Sequence, residues 1–176
     1  MDIFVANDGM ANFLWINQKD GTFSEEALLA GCAFNLYGRQ EAGMGVDAAD
    51  FDGDGDEDLF ITHLMGEKST LYLNEGRGFF TDHSHRAGLD QPSRPYTAFG
   101  TGWFDYDLDG DLDLYAVNGA VKAVDALVDK GDRYPYSMPS LLLENQGGRY
   151  KPVDGGPGFG KPAISRGSVD ADLDND

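Results

Sequence analysis

Cysteine is almost missing from the sequence: Cys32 is the only one among 176 residues, so no intrachain disulfide can form. No apolar run is longer than a few residues, which predicts no membrane-spanning segment. Lys and Arg number only 13 and form no patch that would neutralise phosphates, so nucleic acid is not an expected partner. No signal-peptide pattern follows Met1 in this segment, and no G-x-S-x-G nucleophile elbow is present.

Acidic residues are abundant, and their distribution is uneven. The chain has 31 Asp and Glu and a formal net charge of −18. The windows 50–58, 105–113 and 170–176 hold 15 of these 31 acids and no base, which leaves 16 acids against 13 bases elsewhere. A uniformly acidic, disordered chain is therefore disfavoured. The hydrophobic share of 41% and the 24 glycines instead indicate a folded protein with a core and many turns.

The acidic windows belong to an internal repeat. The anchor residues Asp50, Asp105 and Asp170 are 55 and 65 residues apart. A second block follows each complete window and also occurs near the start of the chain. It reads LWINQKDGTFSE at 14–25, LYLNEGRGFFTD at 71–82 and LLLENQGGRYKPVD at 141–154. Repeats of this length, rich in β-branched and aromatic residues, indicate stacked β-modules.

Each module is predicted to contain four short antiparallel strands. In the middle module these are Gly45–Ala49, Leu59–Thr62, Thr70–Leu73 and Phe79–Asp82. The fold class is therefore predicted to be all-β, with propeller blades of four antiparallel strands. A β-sandwich with similar strand spacing is the alternative, although sandwiches do not repeat their sequence.

The repeat boundaries divide the chain into four predicted parts. Residues 2–42 form a partial blade, 43–98 a blade, 99–163 a blade with an insert at 120–136, and 164–176 the first strand and loop of a further blade. Within the insert, Val121 to Val128 suits one or two helical turns before Pro135. Seven blades of this size would need roughly 400 residues. We therefore expect an internal fragment of a larger propeller, with closure between Asp2 and the third acidic window as an alternative.

Aspartate at every second position is the strongest chemical signal in the chain. A plain strand with this pattern would place five like charges on one face, which is strongly unfavourable. A bound cation resolves the conflict, because Ca²⁺ takes six to eight oxygen ligands from carboxylates, a carbonyl and water. Side chains at loop positions 1, 3, 5 and 9 and the carbonyl of position 7 suit one ion, and Gly55 or Gly110 at position 6 permits the turn.

Three other kinds of metal site fit this pattern less well. Position 12 of each loop is Ile61 or Ala116 rather than the bidentate Glu of a helix–loop–helix calcium site. Mg²⁺ demands a stricter octahedral geometry and keeps its water, and zinc prefers His or Cys. The remaining alternative is an acidic, solvated turn without a metal.

The pattern D-x-D-G-D-G-x-x-D resembles the FG-GAP (VCBS-type) repeats of the integrin α-chain propeller. The block LYLNEGRGFFTD, followed by Arg86-Ala-Gly-Leu89, resembles more specifically the bacterial cartilage acidic protein (ASPIC/UnbV-type) family. The resemblance covers nearly the whole chain and implies a seven-bladed propeller with Ca²⁺ in the loop between the first two strands of a blade. By this match the metal-ligating residues are Asp50, Asp52, Asp54, Asp56, Asp58, Asp105, Asp107, Asp109, Asp111, Asp113, Asp170, Asp172, Asp174 and Asp176.

Within that set, Asp56, Asp111 and Asp176 are expected to contribute carbonyl oxygens and the others side chains. Two loops are complete, the third lacks position 9, and Asp2 matches position 9 of a further loop. The resemblance also implies an extracellular, periplasmic or cell-surface location and a protein or glycan ligand. The alternative is part of a propeller enzyme, a polysaccharide lyase, hydrolase or dehydratase, for which no catalytic residue can be nominated here.

Three further groups of residues have ordinary structural interpretations. The aromatic residues Trp15 and Trp103 fall at strand positions and are expected to pack between blades. The two histidines His83 and His85 are expected in an exposed turn rather than at a metal site. The carboxylate of Asp47, three residues before the first loop, is expected only to support that loop.

Overall fold

The computed structural model describes residues 1–171, and these form three antiparallel sheets in chain order. The first sheet is β1 (Ile3–Val5), β2 (Phe13–Asn17) and β3 (Phe23–Glu25). The second is β4 (Gly45–Ala49), β5 (Asp58–Thr62), β6 (Thr70–Asn74) and β7 (Phe80–Asp82). The third is β8 (Ala98–Phe104), β9 (Asp113–Asn118), β10 (Leu141–Asn145) and β11 (Tyr150–Val153).

Helices are single turns placed in the connections between strands. They are α1 (Ala27–Ala30), α2 (Asp90–Ser93), α3 (Asp125–Val128) and α4 (Pro157–Gly160). The helical segment predicted at Val121 to Val128 is therefore confirmed only as the one turn of α3. No helix among residues 1–171 has the length and apolar character needed to cross a membrane.

The all-β prediction is confirmed, and the strands of the middle module lie within one residue of their predicted bounds. Every sheet is a meander in which sequence neighbours pair antiparallel, for example Leu59 with Tyr72 and Tyr72 with Asp82. Such separate sheets of three or four strands, following one another along the chain, are propeller-like blades. A sandwich would need the strands of one core to come from two facing sheets joined by crossovers.

The sheets pack face to face through two hydrophobic clusters. Leu59 and Ile61 of β5 join Leu14 of the first sheet and Cys32 in one cluster. Phe60, between them in sequence, points to the other face and packs in a second cluster with Trp103 and Leu143 of the third sheet. Because side chains alternate along a strand, β5 is buried on both faces, and its five residues are all buried.

The aromatic and cysteine residues behave as core groups. Trp103 is buried, and its indole N–H donates to the hydroxyl of Tyr150 at 3.0 Å. Trp15 is half-buried in β2 and packs against Phe13. Cys32 is fully buried, and burial raises the pKa of its thiol to about 12, so the thiol stays protonated and unreactive in the folded chain.

The strand directions give the stack of sheets two distinct rims. The acidic segments 50–57 and 105–112 join β4 to β5 and β8 to β9, and they lie at the end of the strands that we call the acidic rim. Because all pairing is antiparallel, the connections 26–44, 63–69 and 83–97 lie at the other end, the opposite rim. His85 is exposed in this last connection, as the sequence predicts, and bonds to Asp90.

Candidate metal centre

The two complete acidic loops begin where an inner strand ends and close at the first residue of the next strand. That closing residue is Asp58 in the first loop and Asp113 in the second, and each is 1% exposed. The rest of each loop is largely exposed at the acidic rim. A buried carboxylate thus lies directly beneath a cluster of exposed ones.

Position 6 of both loops has the left-handed backbone that the sharp turn requires. Gly55 has φ of 95° and Gly110 has φ of 96°. A side chain at either position would be strained, because L-residues rarely adopt this conformation. The glycine predicted to permit the turn therefore does so in both copies.

The carboxylate at position 1 organises each loop through backbone amides. Asp50 accepts hydrogen bonds from the N–H groups of Asp54 and Gly55, both at 3.0 Å. Asp105 accepts the equivalent bonds from Asp109 at 3.1 Å and Gly110 at 2.9 Å. The same network in two loops of different sequence shows that the aspartate spacing, rather than the residues between, sets the loop conformation.

The buried carboxylate at position 9 ties each loop to its own sheet. In the first loop, Asp58 accepts the N–H of Phe51 at 2.8 Å and that of Asn74 at 2.7 Å. In the second loop, Asp113 accepts the N–H of Tyr106 at 2.9 Å and that of Asn145 at 2.7 Å.

An asparagine at the end of the third strand braces each loop, a role that sequence reasoning missed. The side-chain amide of Asn74 donates to the carbonyl of Glu57 at 3.2 Å, and that of Asn145 donates to Leu112 at 3.2 Å. In the first sheet, Asn17 N–H donates to Asp2 at 2.8 Å, which repeats the backbone half of this contact. The signal was an Asn at the same place in all three copies of the second block.

Three carboxylates converge in each loop. Asp50, Asp52 and Asp58 each offer an oxygen within 4.8 Å of the others' oxygens, and so do Asp105, Asp107 and Asp109. Two oxygens that each lie about 2.4 Å from one Ca²⁺ can be at most about 4.8 Å apart, so both clusters fit a single ion. Together the clusters include loop positions 1, 3, 5 and 9, the positions that the sequence predicts as side-chain ligands.

No basic side chain neutralises these clusters within residues 1–171. The three ion pairs found there join His63 to Glu41, Lys68 to Asp82 and His85 to Asp90. The loops therefore hold uncompensated negative charge, and a hard cation is the kind of ligand that oxygen donors of this charge select.

The charge shows in the pKa values of two loop residues. Burial, and then the charges of Asp52 and Asp54, raise the pKa of Asp58 against the opposing effect of its backbone hydrogen bonds. Desolvation, followed by the charges of Asp109 and Asp113, raises the pKa of Asp107. A cation bound among these groups would reverse both shifts, because an opposite charge favours the ionised form.

The remaining predicted ligands are placed less decisively. The side chains of Asp56 and Asp111 are exposed, and their carbonyl role stays a prediction. Asp170 accepts a hydrogen bond from the Tyr115 hydroxyl at 3.3 Å. Asp172, Asp174 and Asp176 lie outside the described residues.

Asp47 is placed differently from its expected role beside the first loop. Its carboxylate accepts the backbone N–H of Trp103 at 3.1 Å. The contact joins β4 of one sheet to β8 of the next, so Asp47 connects neighbouring sheets rather than supporting the loop.

Comparison with known proteins agrees with the repeat and its loops. A family model described as FG-GAP-like repeat matches residues 1–61 and 50–116. Cartilage acidic protein 1 of Homo sapiens is 32% identical over 129 residues, which cover 71% of this chain and 18% of the relative. The Xenopus tropicalis protein of the same name is 29% identical over 161 residues, covering 89% of this chain and 24% of its own length. The chain thus spans less than a quarter of the length of these curated relatives.

Proposed function

The chain belongs to the FG-GAP-like repeat family, and from that premise we propose that it is a calcium-binding segment of a β-propeller-like module. Calcium has a structural role here, and the module presents a surface to a protein or glycan ligand. The convergence of three carboxylates at the same place in two loops carries the proposal.

The geometry suits a metal that stabilises the fold rather than one that performs chemistry. Each cluster lies in the connection between the first and second strands of a sheet, and its position 9 residue is bonded to the third strand through Asn74 or Asn145. An ion held by Asp50, Asp52, Asp54 and Asp58, or by their equivalents in the second loop, would supply positive charge among like charges. It would thereby stabilise the sheet that carries the loop.

Thermal unfolding with calcium and with chelator tests this proposal. A ligand that binds only the folded state at 100 times its Kd adds about 2.7 kcal/mol per site, and two sites about twice that. For a chain of this size each kcal/mol raises Tm by about 2–4 °C, so saturating calcium should raise Tm by roughly 10–20 °C. Calorimetric titration should give two ions bound in the two complete loops.

The substitutions Asp54→Ala and Asp109→Ala should each remove about half of the calcium-dependent rise in Tm. Asp129→Ala is the matched control, because it removes an exposed carboxylate outside the loops and should leave the rise intact. Superimposable melting curves in calcium and in chelator would refute the structural role of the ion.

We propose further that the module works in extracellular or cell-surface surroundings. Calcium sites of extracellular modules are typically weak, with Kd of about 10⁻⁴–10⁻³ M, and need calcium-rich surroundings. A calcium Kd in the nanomolar range in the same titration would contradict this location.

A further inference from the structure

The opposite rim carries a cleft of about 370 Å³, away from both acidic loops. Three connections line it: residues 35–41 before β4, residues 66–68 between β5 and β6, and residues 82–94 after β7. The cleft therefore lies where the loops of two successive sheets meet. Clefts of this volume at such junctions are of a size that accepts a small ligand group.

One wall of the cleft is a turn that is held firmly while it displays large side chains. The Asn35 side-chain oxygen accepts the N–H groups of Tyr37 and Arg39, both at 3.0 Å. The N–H of Leu36 donates to the carboxylate of Asp82 at 2.9 Å, which ties the turn to β7. Tyr37 is nevertheless 75% exposed and Leu36 62% exposed. A braced turn with exposed aromatic and apolar side chains is arranged for contact, since ordering them in advance lowers the entropy cost of binding.

The acidic groups in the cleft are already engaged within the protein. Asp82 forms an ion pair with Lys68 at 3.1 Å, with both side chains less than a tenth exposed. Glu41 accepts the Thr70 hydroxyl at 3.0 Å, and Glu67 accepts the N–H of Ala42 at 2.9 Å. The fourth acid is bonded to its own neighbour on the rim, the exposed His85.

The two arginines of the cleft, by contrast, have no acidic partner. Neither Arg39 nor Arg94 has a carboxylate within 4.0 Å among residues 1–171, and both are exposed. Arg94 is positioned by Gly66, whose N–H donates to the Arg94 carbonyl at 2.8 Å, and its guanidinium makes one long contact, 3.4 Å, to the Gly66 carbonyl. On a chain with 31 acids and 13 bases, two guanidinium groups without a carboxylate in one cleft are unexpected. Guanidinium forks bind planar carboxylates through paired hydrogen bonds.

We propose that this cleft binds the carboxylate of an acidic sugar, a uronate, with Arg39 and Arg94 on the anion and Tyr37 against the sugar ring. The proposal rests on the ligand-binding half of the proposed function and names its surface and ligand class. A saccharide fits the site better than an acidic peptide, because the charged groups converge on one small cleft and the exposed ring beside them offers a flat apolar face.

Binding of trigalacturonate to the chain, measured by calorimetry in constant calcium, tests the proposal. Arg39→Ala and Arg94→Ala should each weaken binding by on the order of tenfold, as expected for loss of a charge-assisted hydrogen bond. Arg133→Ala is the matched control, because it removes an exposed arginine on the insert and should leave affinity unchanged. The fully methyl-esterified trisaccharide has the same ring and linkage without the charge and should not bind.

Four results would overturn the proposal: no uronate binding, equal binding of the methyl ester, binding of oligoglutamate in preference to the trisaccharide, or full affinity in the Arg39→Ala/Arg94→Ala double variant. If Asp54→Ala and Asp109→Ala abolish binding and the arginine variants do not, the sugar acid is bridged by loop calcium. The cleft proposal then fails while the proposed function stands. Arginine-dependent uronate binding together with a Tm that ignores calcium would support the cleft and refute the structural role of calcium.

Discussion

The contact between neighbouring sheets depends on Gly45, and Gly45→Ala should be among the most damaging single changes in the chain. A Cβ at this position would lie 1.8 Å from the carbonyl oxygen of Phe99. An ordinary contact is 3.4 Å or more, so β4 and β8 would have to separate by about 1.6 Å. The obstacle is backbone within a strand and cannot swing aside as a side chain does.

The cost follows from two consequences of that separation. Overpacking of a well-packed contact costs about 1–3 kcal/mol. The hydrogen bond from Trp103 N–H to Asp47 would also lengthen, and an unsatisfied donor costs about 1–3 kcal/mol. A total of about 3–5 kcal/mol is a large part of the 5–15 kcal/mol that holds a typical domain together.

Urea unfolding of Gly45→Ala beside Gly167→Ala provides the measurement. Gly167 has an ordinary φ and nothing within 4 Å of its Cβ position, so its replacement should change the free energy of unfolding by less than about 1 kcal/mol. If Gly45→Ala costs no more than Gly167→Ala, the sheets do not pack in solution as they do in the structure, and the reasoning from their close approach is wrong.

Two further predictions concern the brace of the second loop and the ion pair beneath the cleft. Asn145→Ala removes the bond to the carbonyl of Leu112 and should cost about 1–2 kcal/mol in chelator; a calcium titration should also show weaker binding at that loop. Although burial acts to raise it, the Ser84 hydroxyl and the Lys68 charge hold the pKa of Asp82 below its ordinary value. The stability from Asp82 is therefore present above about pH 4 and is lost as pH falls through the folded pKa. Asp82→Asn should lower stability in chelator at neutral pH and approach wild type in strong acid; an equal difference at every pH would contradict this.

The fold could be predicted from the sequence because a repeat constrains it several times over. The strands Gly45–Ala49 and Thr70–Leu73 follow from the pattern of one module, and each is confirmed by a sheet whose counterpart recurs 55 residues later. The loop glycines were equally predictable, because only a few residue types tolerate φ near 95° as found at Gly55. Local chemistry sufficed wherever the interaction was local in sequence.

Contacts between modules could not be predicted in the same way. Asp47 bonds to Trp103, 56 residues away, and nothing in the spacing of Asp47 from the first loop indicates that partner. The cleft at the opposite rim is a stronger case, since Arg39 and Arg94 come from connections before and after one sheet. Such sites depend on how successive sheets stack, and pattern reasoning within one repeat carries no information about that.

The two rims differ in a way that bears on how the module can evolve and bind. At the acidic rim the connections are fixed in length and conformation by the aspartate network, since Asp50 and Asp105 accept matching backbone bonds. At the opposite rim the connections differ in length, from the short 63–69 to the longer 26–44. A change there meets no repeated network, so binding groups can vary while the sheets stay intact. If calcium stabilises each sheet from the acidic rim, substitutions at Arg39 should alter ligand affinity without altering the calcium-dependent Tm, and this independence is directly measurable.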